Sequence, residues 1–132
     1  MAQPVYIRFA IHRTDHDSGK REGLFQALSA LESSGQLLPH EEAEYNEVYE
    51  WFRHNLKKPT SFSRSSKPHA KNVALSWFKD SAIEHIAKMR ALGQMLQAHR
   101  IEVEMLRTER PGYVVYEDDF QVAAEPFRET LT

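Results

Sequence analysis

The sequence predicts an α+β domain in which about four mostly antiparallel strands form one sheet and three helices pack on one of its faces. Three observations lead to this prediction. One segment near the start alternates apolar and polar residues, three later segments carry apolar residues at helical spacing, and short strand-like segments separated by turn residues close the chain. Helices segregated from an antiparallel sheet are typical of this class. The predicted element order is β-α-α-α-β-β-β.

The first half of the chain predicts one strand and two helices. Residues 5–11 alternate like a half-buried strand, and residues 21–34 carry leucine and phenylalanine at helical spacing. Gly35 stands where a helix end requires a left-handed residue. Pro39 suits the first position of a second helix, and an apolar stripe continues this helix through residues 39–57.

The second half predicts a helix followed by a three-stranded meander. Residues 72–78 fit either a strand or the approach to the next helix, since their alternation is short. A long helix is predicted over residues 80–99. Three strands follow, separated by an Arg-Pro-Gly turn and an acidic turn, and they are predicted over residues 101–105, 113–116 and 120–125.

Composition limits the class of protein. The chain has 132 residues, 41% of them hydrophobic, which suits a single domain over 1–132, ordered from about 4 to 127 with a frayed tail at 128–132. It has no cysteine, which excludes disulfides and thiolate metal sites. The start does not resemble a signal peptide, and no apolar run is long enough to span a bilayer. We therefore expect a cytoplasmic protein with no membrane partner.

The predicted sheet has a polar face that suits a partner. If the helices cover one face, strand alternation places a mixed polar set on the other, namely Tyr6, Arg8, His12, Glu102, Glu104 and Gln121. Such a surface requires either water or a binding partner. Self-association through a sheet edge is a further possibility of the same kind.

Charge is distributed unevenly along the chain, although the net charge is only -2. Residues 41–50 hold five carboxylates, whereas residues 53–71 hold six Lys or Arg and no acid. The basic segment has the ingredients of a nucleic-acid or nucleotide site, with dispersed cations and a phenylalanine that could stack on a base: Lys57, Lys58, Phe62, Arg64 and Lys67. Neutralisation of the acidic helix explains the same charges equally well.

The densest group of possible metal ligands comprises His12, Asp15 and His16, with Asp17 beside them. Imidazole and carboxylate would suit zinc, manganese or iron(II), but a polar turn after a strand has the same composition. The sequence contains no nucleophile elbow, phosphate-binding loop, dinucleotide-binding glycine pattern or HExxH motif. We therefore expect no cofactor and no catalytic residue.

The runs PHAK and ALSWFKDSA within 68–82 and RPGYVVYEDDFQVAAEP at 110–126 resemble a family of small bacterial proteins of unknown function. This resemblance covers nearly the whole chain. It implies a bacterial, free-standing single domain and implies no activity.

A local resemblance concerns the end of the chain. Residues 113–117, with Gln121 and Val122, are similar to the last catalytic strand of poly-ADP-ribose polymerases, and residues 77–82 are similar to another segment of that family. Gly112 stands in the place of the family's catalytic glutamate. The resemblance implies a degenerate ADP-ribosyltransferase-like protein as one alternative function.

The leading hypothesis from the sequence is a non-enzymatic binding or accessory protein that acts through a protein partner. Nucleic-acid or nucleotide binding through residues 53–71 is the principal alternative. Together these hypotheses nominate a set of candidate contact residues: Arg8, His12, Lys57, Lys58, Phe62, Arg64, Lys67 and Glu104.

Overall fold

The computed structural model describes residues 3–13, 21–58 and 74–130, and the statements below concern those residues. Their strands and helices are β1 Tyr6–Ile11, α1 Leu24–Ser33, α2 Pro39–Asn55, β2 Leu75–Lys79, α3 Ile83–Ala98, β3 Val103–Thr108, β4 Tyr113–Glu117 and β5 Gln121–Glu125. The predicted α+β class is confirmed. None of these helices combines the length and apolar character needed to cross a bilayer.

Five strands of the described residues form one sheet, in the order β3-β1-β2-β5-β4. β2 lies antiparallel to both of its neighbours, with Tyr6 opposite Lys79 on one side and Trp77 opposite Val122 on the other. β5 is also antiparallel to β4. The mostly antiparallel arrangement is therefore confirmed.

The sheet has one strand more than predicted, because the ambiguous segment at 72–78 contributes β2. Leu75 and Trp77 are buried while Ser76 between them is exposed, which is the period-two pattern of a strand. The observed order is therefore β-α-α-β-α-β-β-β. The sequence left this segment open because three alternating apolar residues are too few to separate a central strand from the start of a helix.

The helix-end residues predicted from the sequence take the expected roles. Gly35 has φ 72°, and its N–H donates to the Glu32 carbonyl at 3.0 Å. The next N–H, of Gln36, donates to the Leu31 carbonyl at 2.9 Å, which completes a Schellman motif at the end of α1. Pro39 is the first residue of α2, as predicted.

β4 does not run in uninterrupted register with β5. Val114 lies opposite Ala124, whereas Tyr116 lies opposite Ala123, so the register shifts between these two pairs. One extra residue in one strand of an antiparallel pair is a β-bulge, which bends the strand and increases its twist. β4 also lies at one end of the strand order.

The chain divides into two compact units. The first comprises Met1–Arg8, Lys58–Ile86 and Met105–Thr132, and the second comprises Phe9–Lys57 and Ala87–Glu104. Each unit has buried apolar residues of its own, and each is described by itself.

The first unit contains an apolar cluster on its strands. Its buried members are Leu75, Trp77, Leu106 and Val122, and the half-buried Tyr6 and Val114 pack against them. The prediction of an exposed polar face is therefore wrong at Tyr6, and it is also wrong at Gln121, which is only 3% exposed. Alternation identifies the residues that share a face but does not show whether that face is covered.

The second unit is built mainly from helices. Phe25 of α1 meets Phe52 of α2 edge to face, with ring centroids 5.2 Å apart, and lies 6.4 Å from Tyr45. Trp51 occupies the rim, where Lys88 Nζ lies 5.0 Å from the centroid of its ring. The arrangement follows the usual edge-to-face geometry of buried aromatic rings.

Candidate functional site

A polar cleft lies in the second unit, where β1 ends and where the chain passes from α3 into β3. It is lined by Ile11, His12, Arg13, Arg100, Ile101 and Glu102 and has a volume of about 530 Å³. We call it the His12 cleft. The four polar side chains on its walls are all exposed.

Backbone hydrogen bonds fix one wall of the His12 cleft. Ile11 N–H donates to the Glu22 carbonyl at 3.0 Å, and Glu22 N–H donates to the Arg13 carbonyl at 2.7 Å. These two bonds flank His12 and hold the end of β1 against the residues that precede α1. The side chains of His12 and Arg13 therefore project from a backbone that is fixed on both sides of the histidine.

Arg21 joins the site residues behind this wall. Its Nε donates to the Ile11 carbonyl at 2.9 Å, and its Nη1 donates to Glu104 Oε1 at 2.6 Å. Its Nη2 lies 3.4 Å from His12 Nδ1. Arg21 thus brings together two residues nominated from the sequence, His12 and Glu104.

The hydrogen bond from Arg21 also affects the ionisation of Glu104. This hydrogen bond is the largest effect on that carboxyl and lowers its pKa. Burial opposes this as the second-largest effect, and the charges of Arg21 and His12 add smaller lowering effects. A guanidinium can only donate hydrogen bonds, so its contact with His12 Nδ1 is a hydrogen bond in the tautomer that has its N–H at Nε2.

Arg100 also lines the His12 cleft, and its backbone has an unusual conformation. Its φ is 62°, the left-handed region that favours glycine. Its N–H donates to the Gln97 carbonyl at 2.9 Å, and Ile101 N–H donates to the Leu96 carbonyl at 3.0 Å. α3 therefore ends in the same motif as α1, with Arg100 in the position that Gly35 takes there.

Two of the site arginines were missed by sequence reasoning. Arg21 looked like an ordinary residue at the start of a helix, and its partner lies 83 positions away. Arg100 followed the end of α3, but arginine gives no indication of a left-handed conformation. Only a three-dimensional model could have identified either residue as part of a site.

The other nominated contact residues do not join this cleft. Arg8 is half-buried within β1 and belongs to the first unit. Lys57 and Lys58 are exposed just after α2. Phe62, Arg64 and Lys67 lie outside the described residues.

The basic segment is partly explained by its acidic neighbour. Arg53 Nη1 lies 3.1 Å from Glu50 Oε1, and His54 Nε2 lies 3.8 Å from Glu50 Oε2. The first two basic side chains of residues 53–71 therefore face a carboxylate of α2. At Arg53, one of the six Lys and Arg residues of 53–71, the structure shows the kind of pairing that the sequence offered as an alternative to nucleic-acid binding.

The metal hypothesis can be followed only at His12, because Asp15 and His16 lie outside the described residues. Within the described ranges, no group of three or more His, Asp or Glu side chains is arranged to hold a metal ion. His12 Nδ1 faces the Arg21 guanidinium. A cation at this nitrogen would compete with the positive charge of Arg21.

Comparisons with protein-family models, with curated proteins and with solved structures found no match for this chain. The two resemblances stated from the sequence therefore stay predictions. At Gly112, which stands in the place of the polymerase glutamate, an added Cβ would overlap the Glu125 carbonyl oxygen. The space at this position therefore accommodates glycine and no residue with a Cβ atom.

Proposed function

We propose that this protein is a non-enzymatic binding protein that acts through a protein partner, with the His12 cleft as its contact surface. The observation that supports the proposal is the cleft itself, in which exposed side chains of both charges project from hydrogen-bonded backbone. Complementary charges placed on a fixed backbone are what protein interfaces use to select a partner and to set its register.

The mixed charge of the cleft favours a protein over a nucleic acid. The cleft is lined by two cations, Arg13 and Arg100, and by one carboxylate, Glu102. A second carboxylate, Glu104, accepts a hydrogen bond from Arg21. Protein surfaces that bind nucleic acids are predominantly basic, because much of their affinity comes from neutralising phosphates. A protein surface offers groups of both signs and can satisfy all four side chains.

The test is affinity purification of the tagged protein from its native host, followed by quantitative mass spectrometry. One variant reverses two cleft charges, Arg13→Glu and Arg100→Glu. A control variant makes the same change in net charge elsewhere, Arg53→Glu and Lys58→Glu. We expect a protein partner to be retained by the wild type and the control and to be lost from the cleft variant.

Two other results would contradict the proposal. Retention of every partner by the cleft variant would show that the His12 cleft is not the contact surface. Nucleic acid that copurifies with the wild type, is released by salt and is lost only from the Arg53/Lys58 variant would instead support nucleic-acid binding by the basic segment.

A further inference from the structure

Two arginines, Arg13 and Arg100, line the His12 cleft, and a third, Arg21, contacts His12 from outside the lining. The three differ in how many of their N–H donors already have a partner. Every nitrogen of the Arg21 guanidinium has a partner, so this side chain acts within the fold. Arg13 Nη1 is 3.9 Å from Glu22 Oε2, too far for a hydrogen bond. Arg100 makes no ion pair with the residues that the structure describes. Arg13 and Arg100 therefore retain donors for a ligand.

The backbone at Arg100 adds a second observation. The same Schellman position holds glycine at the end of α1 and arginine at the end of α3. A left-handed non-glycine residue is disfavoured, and such residues concentrate at binding and active sites, where the surrounding structure holds them in this conformation. An arginine at this position supplies a guanidinium to the cleft at the expense of backbone stability.

We propose that the His12 cleft recognises a carboxylate side chain within an acidic segment of the partner protein, held by Arg13 and Arg100. This inference rests on the proposed function and specifies the chemistry of the partner. The planar guanidinium matches a carboxylate with two parallel hydrogen bonds, which gives geometric specificity as well as affinity. His12 lines the same cleft, and its ring can donate to the same ligand in the tautomer that has its N–H at Nε2.

Glu102, which also lines the cleft, restricts the ligand. Its carboxylate repels a densely negative chain, such as a polyphosphate, because part of that charge would have to approach it. In an acidic protein segment, a backbone N–H or a hydroxyl beside the bound carboxylate can donate to Glu102. The cleft therefore favours carboxylates that alternate with neutral residues in a polypeptide over continuous anionic charge.

The experiment uses fluorescein-labelled 12-residue peptides with amidated C-termini, so that side chains supply the only peptide carboxylates. One peptide alternates Glu with Ser, a second replaces Glu by Gln, and a third replaces Glu by Lys. Fluorescence anisotropy is measured with the wild type, Arg13→Gln, Arg100→Gly and the control Arg53→Gln. Thermal melts verify folding, and we expect Arg100→Gly to melt above the wild type.

We expect the Glu peptide to bind the wild type at least tenfold more tightly than the Gln peptide. Arg13→Gln and Arg100→Gly should each weaken binding of the Glu peptide by about tenfold, and Arg53→Gln should leave it unchanged. Equal binding of the Glu and Gln peptides, or unchanged affinity in both cleft variants, would overturn the carboxylate assignment.

The peptide series also separates this inference from the proposed function. Preferred binding of the Lys peptide, lost in Glu102→Gln, would overturn the carboxylate assignment and retain the His12 cleft as a peptide site. Absence of binding of all three peptides up to millimolar concentration would overturn the carboxylate assignment. If partner capture also survived the reversal of the cleft charges, the proposed function would fail as well.

Discussion

Arg21 Nη1 lies 2.6 Å from Glu104 Oε1, and this single bond joins residues that are 83 positions apart in the chain. The same guanidinium holds the Ile11 carbonyl and the His12 ring. The position of the His12 side chain therefore depends on an arginine outside the cleft lining and on a carboxylate at the start of β3.

Replacing Arg21 by alanine should raise the pKa of the Glu104 carboxyl toward its ordinary value, because the main cause of its lowering is the Arg21 hydrogen bond. Carboxyl ¹³C NMR across an acid titration measures this change. The lost bond to the Ile11 carbonyl should also reduce the free energy of unfolding by about 1 kcal/mol. Arg53→Ala is the control, and an unchanged Glu104 titration in Arg21→Ala would contradict the assignment.

Glu41 should make stability depend on pH in the acid range. Its Oε1 accepts from Leu38 N–H at 2.9 Å and lies 2.9 Å from His99 Nε2, and these bonds lower the pKa of the carboxyl. A lowered folded-state pKa gives stability that is present above the ordinary value of about 4.5 and is lost as pH falls through the folded value.

We therefore expect Glu41→Gln to lower the free energy of unfolding by about 1 to 2 kcal/mol at pH 7, since the amide makes weaker hydrogen bonds. The difference from the wild type should shrink as pH falls below about 4.5. Urea denaturation at pH 7 and pH 3.5 measures both values. Glu44→Gln, on the exposed side of the same helix, provides the control, and a pH-independent difference would argue against the mechanism.

Alanine substitutions at two glycines compare the energetic cost of an unfavourable backbone conformation with the cost of a steric overlap. Gly35 has φ 72° with open space around it, whereas Gly112 has φ 132° and an added Cβ would overlap the Glu125 carbonyl. Gly35→Ala should cost about 1 kcal/mol from the backbone alone. Gly112→Ala should cost about 4 kcal/mol or more, because β4 and β5 must move apart. Similar melting temperatures for the two variants would contradict this difference.

The buried Trp77 side chain stabilises the fold through its apolar ring but also carries an indole N–H that destabilises it. It is 1% exposed in the first unit's apolar cluster, and its Nε1–H has no hydrogen-bond partner among the described residues. Trp77→Phe removes this donor, which relieves about 1 to 3 kcal/mol, and leaves a small cavity that costs about 1 kcal/mol. We expect its unfolding free energy to match or exceed the wild type.

Leu75→Ala, in the same cluster, should instead destabilise by about 3 kcal/mol, because it removes apolar volume without relieving an unpaired donor. Chemical denaturation of the two variants gives the comparison. A loss in Trp77→Phe as large as that in Leu75→Ala would show that the indole N–H is satisfied in solution.

Sequence reasoning reached the fold class because its signals are local. The left-handed Gly35 and the first position of Pro39 in α2 depend on residue type and on immediate neighbours. β2 was left undecided, since its burial comes from strands far away in the chain. For the same reason, the apolar surroundings of Tyr6 could not be read from alternation.

The candidate site was predictable only in part. His12 and Glu104 were nominated because they are polar residues on or beside strands, and this signal is present in the sequence. Arg21, which joins them, and Arg100, which faces the same cleft, depend on a long-range bond and on a backbone angle respectively. Neither property is encoded in a residue pattern.

The bulge in β4 affects the tendency of the protein to aggregate at high concentration. A flat terminal strand with regular pairing is a template on which a second chain can add a strand and start a fibril. The shift between Val114 and Tyr116 interrupts that regularity in a valine- and tyrosine-rich strand at the end of the sheet order. This irregularity makes β4 a poor seed for fibril growth, and protects a sequence of high β-propensity from aggregation.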